Sequence, residues 1–97
     1  MKQTIIDAID IRNLLEFHYD GHYRLVEPYT FGVSTKGNDT LSAYQVGGTS
    51  DKGNVPDWKL FTVSKIIALK KSDETFLGTR KGYTKGDSRM TKIYKEL

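Results

Sequence analysis

Leu15-Glu16-Phe17-His18-Tyr19-Asp20-Gly21-His22-Tyr23-Arg24-Leu25-Val26-Glu27 is the stretch that decides the fold. Leu15, Phe17 and Tyr19 alternate with Glu16, His18 and Asp20, the period of two expected of a strand with one buried face. Asp20-Gly21 is a strong tight-hairpin signal, because both residues tolerate the backbone angles that a two-residue turn needs. Such a turn sets Tyr19 opposite His22 and Phe17 opposite Arg24. Leu15, Phe17, Tyr19, His22, Arg24 and Val26 then share one side of the ribbon. Arg24 is thereby a cation on a ring-rich face, where it can bridge Glu16 or Glu27, stack on Phe17, or meet a ligand.

Upstream, Thr4 and Asp7 have the spacing of a capping box beside the apolar side Ile5, Ile6, Ala8 and Ile9, which predicts a helix over residues 4–13. Downstream, Pro28 is expected to break or bend the second strand. Tyr29 to Ser34 and Leu41 to Val46 form the next hairpin around Thr35-Lys36-Gly37-Asn38. Gly47 to Asp57 is polar and glycine-rich and reads as a long loop. Trp58 to Val63 and Ile66 to Lys70 are two further strands about a Ser64-Lys65 corner, and residues 72–86 are irregular. Asp87 is placed to cap a final helix, since Met90, Ile93, Tyr94 and Leu97 fall at helical spacing. The expectation is one domain over 1–97, mainly β with flanking N- and C-terminal helices. Its core, at about 14–71, is a small antiparallel barrel, followed by a C-terminal extension and helix at 72–97.

The chain of 97 residues carries eleven aromatics and no cysteine. Stability must therefore come from packing, and disulfides, thiolate zinc sites and a cysteine nucleophile are excluded. No membrane-length apolar run and no secretory segment is evident, so a cytoplasmic location is expected. Net charge is +3, but residues 1–58 hold five Lys/Arg against eight Asp/Glu, whereas residues 59–97 hold ten against four. A basic second half fits an anionic partner, and equally fits ordinary solvated lysine.

His18 and His22 have metal-ligand composition, yet the hairpin register sends them to opposite faces. No nucleophile-elbow spacing, Ser-His-acid arrangement or phosphate-loop glycine spacing is present, and the acidic pairs sit in caps and turns. An enzyme is not expected, nor a cofactor. A binding surface suits the residues better: cations for phosphate beside rings on which bases can stack.

Three phrases carry a family resemblance. Arg24-Leu25-Val26-Glu27-Pro28-Tyr29 looks like an Arg-x-x-x-Pro segment, and Leu41-Ser42-Ala43-Tyr44-Gln45 stands in the place of a Trp-Tyr-Leu phrase. Lys59-Leu60-Phe61-Thr62-Val63-Ser64-Lys65-Ile66 is similar to an Arg-x-Phe-Arg-Leu-Asp-Arg-Ile segment. In this order, after Leu15-Glu16-Phe17-His18-Tyr19, they resemble the WYL domain, a bacterial ligand-sensing module often joined to a helix-turn-helix. The resemblance implies an Sm-like (Src-homology-3-like) barrel that binds single-stranded DNA or RNA, or a nucleotide-like signal, in transcriptional or phage-defence regulation. It implies a pocket of Arg24, Tyr44, Gln45, Lys59 and Lys65. In that pocket Arg24 and Lys59 would hold phosphate, Tyr44 would stack on or hydrogen-bond a base, Gln45 would read a base edge and Lys65 would add field. Lys59, Thr62 and Lys65 replace family arginines, which weakens bidentate phosphate recognition. No DNA-reading helix is recognisable, so direct promoter binding is not expected. The competing reading is a protein-interaction or dimerisation module with no nucleotide ligand.

Overall fold

A computed structural model describes residues 1–97. The elements in chain order are α1 (Lys2–Ile11), β1 (Asn13–Tyr19), β2 (His22–Ser34), β3 (Asp39–Gly48), β4 (Asp57–Thr62), a 3-10 turn (Val63–Lys65), β5 (Ile67–Thr75) and β6 (Met90–Glu96). The sheet is antiparallel in the order β4-β3-β2-β1-β5, and β6 also pairs with β2.

The first hairpin has the register its turn dictates: Tyr19 pairs with His22, Phe17 with Arg24 and Leu15 with Val26. Asp20 and Gly21 take φ of 51° and 77° at the turn. Pro28 bends β2 without ending it. Residues 22–26 pair with β1 and residues 30–34 with β6, while β3 runs along the opposite edge. Pro28 thus falls in the gap between the two partners on its edge, where its missing N–H breaks no ladder. Tyr29 is left over between the Pro28–Ala43 and Thr30–Ser42 pairs, a bulge that turns the strand.

The sheet does not close into a barrel. Strands β4 and β5 lie at opposite ends of the hydrogen-bonded path and share no ladder. A side-chain bond instead ties the end of β4 to the end of β1, from the Thr62 N–H to the Tyr19 hydroxyl at 3.0 Å.

The C-terminal helix expected at 87–97 is a strand. Met90–Glu96 pairs with Thr30–Ser34, but register shifts leave Thr91 and Tyr94 unmatched. These two bulges break the alternation of two, so apolar residues fall three and four apart and mimic a helical stripe. Thr91, Ile93 and Tyr94 are strand formers with a free edge to cover. Helix α1 begins at Lys2 and makes no side-chain cap, so the Thr4–Asp7 capping box does not form; Asp7 instead accepts a bond from the Gln3 amide at 2.8 Å.

Two cores follow from the two sheet faces. Ile5, Ala8 and Ile9 of α1 pack on Leu15, Phe17, Tyr19, Val26, Phe31, Leu41, Ala43 and Phe61. Edge-to-face rings at 4.9 Å (Phe17–Phe61) and 5.0 Å (Tyr19–Phe61) knit this side. On the other side Tyr29 is fully buried against Trp58, Phe76 and Tyr83, under the irregular segment that follows β5. Arg80 from that segment grips the buried Glu27 carboxylate through Nε at 2.9 Å and Nη2 at 2.8 Å. Tyr29 donates to the same carboxylate at 3.0 Å, and burial beside it pushes the Tyr29 hydroxyl pKa up.

Candidate anionic-ligand site

Arg24 is the residue about which a site can be built. The hairpin register points it to the ring side of the sheet, where its guanidinium lies 5.6 Å from the centres of both the Tyr19 and Phe61 rings. It is only 4% exposed. Nη1 donates to Gln45 Oε1 at 3.2 Å and Nη2 to the Tyr19 carbonyl at 3.1 Å, but Nε has no partner. None of the five ion pairs in the molecule includes Arg24. A buried cation with no counter-ion and an idle donor is costly unless something else meets it.

Arg24 forms part of a cleft of about 620 Å³, within the range of roughly 300–1,000 Å³ usual for small-molecule sites. Lys59 lines it from β4, on the same face as Gln45 because Ala43 pairs with Lys59 and Gln45 with Asp57. The Lys59 ammonium holds only a long bond of 3.4 Å to Ser50 Oγ. The loop after β3 supplies Ser50, Asp51, Lys52 and Asn54, the β1–β2 turn supplies Asp20, and Asp57 and Arg89 complete the charged wall. The loop is not free to wander: Gln45 Nε2 donates to the Gly47 and Thr49 carbonyls, both at 3.0 Å. His22 also holds it, through Thr49 Oγ1 at 2.8 Å and Asp51 Oδ1 at 2.6 Å.

Of the five residues expected to form a pocket, the structure brings together Arg24, Gln45 and Lys59. Gln45 is fully buried and its amide is spent on Arg24 and the loop, so it positions the site and does not read a base. Tyr44 lies on the opposite face, because neighbours along a strand point oppositely. There it packs edge-on to Trp58 at 5.5 Å and under the Arg80 guanidinium at 4.9 Å. Lys65 sits exposed on the 3-10 turn, outside the cleft.

Asp20, Asp51, Asp57 and Arg89 were not expected at the site. The turn and loop carrying the first two are evident in the sequence, but their convergence over Arg24 depends on the Gln45 and His22 bonds. Arg89 is largely committed to Asp87 at 2.6 Å. Its side-chain hydrogen bond holds the Asp87 carboxyl below its ordinary value. The basic surplus of the second half is likewise reduced, since Arg80, Arg89 and Lys95 all pair with carboxylates.

No family model, curated protein or solved structure matches the chain. No helix is long and apolar enough to cross a membrane.

Proposed function

We propose that this chain is a non-catalytic binding module of the WYL type, an open variant of the Sm-like barrel, that takes a phosphate-bearing, nucleotide-like ligand in a regulatory role. One observation carries the reading: Arg24, buried, without a carboxylate partner and with an idle Nε donor, lines a cleft that Lys59 also lines. A phosphate supplies the counter-charge that the Arg24 guanidinium lacks. Lys59, two residues along β4 from Asp57, adds a point charge to the same cleft. Thr49, His22 and Asp51 are linked beside the cleft at 2.8 and 2.6 Å, and we read these bonds as fixing the loop around the ligand.

The test is an equilibrium titration at low salt with nucleoside 5′-monophosphates and short single-stranded DNA and RNA. Wild type binds, with affinity falling as salt rises, and Lys59→Ala and Arg24→Lys each lose about tenfold, or about 1.4 kcal/mol. The reading fails if nothing in the set binds, or if both variants, folded by circular dichroism, bind as wild type does.

A second reading has its own support. Leu60 and Ile67 are 45% and 66% exposed on β4 and β5, the two strands at the open ends of the sheet. Self-association through such an edge is the expected behaviour of an interaction module. Sedimentation distinguishes it: a concentration-dependent dimer that Leu60→Lys or Ile67→Lys abolishes supports this reading, and a monomer at all concentrations removes it.

A further inference from the structure

The cleft over Arg24 is lined by charges of both signs, and the rings beside the Arg24 guanidinium are buried. Tyr19 and Phe61 are buried beneath the Arg24 guanidinium, at 9% and 1% exposure. The Trp58 indole is turned to the far face, packed on Tyr29 with its Nε1 donating to the Lys81 carbonyl at 2.8 Å. Tyr44 is on that face too. Trp58 is the one partly exposed aromatic residue of the lining, and with its indole held by Tyr29 and Lys81 a base beside Arg24 meets no free ring of the kind single-strand binders stack on.

Three carboxylates reach the cleft on three different segments, Asp20 on the first turn, Asp51 on the loop and Asp57 at the start of β4, beside Lys52 and the Asp87-paired Arg89. Asp51 uses Oδ1 for His22 and Asp57 uses Oδ1 for the Trp58 N–H, at 2.6 and 2.8 Å. Each keeps Oδ2 without a protein donor. A phosphodiester chain running through the cleft would pass these carboxylates on its way in and out, with like charges brought close together. A ligand that ends in phosphate avoids that contact. Hydroxyl groups next to the phosphate gain from these three groups, because ionised carboxylates are acceptors only.

We infer that the ligand is a phosphorylated sugar, inserted phosphate first. The phosphate meets the Arg24 guanidinium and Lys59, and the sugar hydroxyls donate to Asp20, Asp51 and Asp57. This rests on the phosphate-binding reading above and narrows it: the recognised part of a nucleotide is its ribose 5-phosphate, and the base lies outside. Asp57 stands two residues from Lys59 on the same strand face, about 7 Å along the chain. That separation is suited to a sugar hydroxyl and a phosphate held by one molecule.

Calorimetric titration of the full chain with AMP, GMP, UMP, 2′-deoxy-AMP, ribose 5-phosphate, adenosine, inorganic phosphate and twelve-residue RNA and DNA strands tests this. The three ribonucleotides and ribose 5-phosphate are expected within about threefold of one another. Inorganic phosphate and 2′-deoxy-AMP bind about tenfold more weakly, on the scale of one lost charge-assisted hydrogen bond. Adenosine does not bind. Asp57→Asn and Asp20→Asn shrink the preference for ribose 5-phosphate over inorganic phosphate, and they raise affinity for phosphate itself by removing a repulsive charge. Asparagine can still accept the Trp58 N–H and tolerates the left-handed φ of residue 20, so both variants should fold. Tighter binding of the strands than of AMP, discrimination among the bases beyond about tenfold, or an unchanged preference in both variants overturns the inference while leaving phosphate binding standing. Absence of binding by every phosphate-bearing compound overturns both.

Discussion

Replacing Arg80 with alanine removes two of the three donors that satisfy the Glu27 carboxylate, whose side chain is only 6% exposed. Each hydrogen bond to a charged group is worth roughly 1.5–3 kcal/mol when buried. Arg80, however, is 48% exposed, and water entering the vacated space offsets part of the loss, so the expected cost is about 2 kcal/mol in all. For a chain of this size that is a fall in melting temperature of roughly 8–16 °C. Arg80→Lys restores a point charge without the two-pronged geometry and recovers about half. Adding Glu27→Gln to Arg80→Ala removes the stranded charge and recovers part of the stability, a coupling that urea denaturation of the double-mutant cycle measures directly. A cost for Arg80→Ala below about 0.5 kcal/mol, or no recovery in the double variant, would show that this ion pair does not hold the irregular segment to the sheet.

Tyr19→Phe deletes the bond from the Thr62 N–H that ties the end of β4 to β1, and chemical denaturation should register a loss of about 1 kcal/mol. At Gly32 an added Cβ would sit 2.1 Å from the Lys92 carbonyl oxygen, so Gly32→Ala should cost about 1–3 kcal/mol and raise amide exchange along residues 90–96 first. Because Arg89 lowers the Asp87 pKa below 3.8 in the fold, its contribution is complete above that value and is lost as pH falls through the depressed one. The stability gap between wild type and Asp87→Asn should therefore be widest near neutrality and narrow below about pH 4.

The hairpin was fully legible: alternation and Asp20-Gly21 set the register that turns Arg24 onto Phe17's side, as found. The mainly β antiparallel character followed from the same reasoning, and so did the second hairpin. Strand β6 was not legible, because its two bulges convert a period of two into helix-like spacing. The failure to close depends on which edges find partners, a tertiary outcome that no local pattern carries. At the site, Tyr44 and Gln45 are adjacent on a strand and so cannot face one pocket; alternation alone would have separated them, and the resemblance drew them together. The Arg80–Glu27 pair joins residues 53 apart, and nothing local announces it.

The central claim is that Arg24 waits for an anion, and its Nε–H is the atom to watch. In a nitrogen-15-labelled sample, titration with a nucleoside 5′-monophosphate at low salt should shift the Arg24 Nε–H resonance saturably, with Lys59 and the 50–54 backbone amides moving along the same isotherm. An Nε–H resonance that stays in place while the ligand binds elsewhere, or that moves no more than those of the exposed arginines, would contradict it.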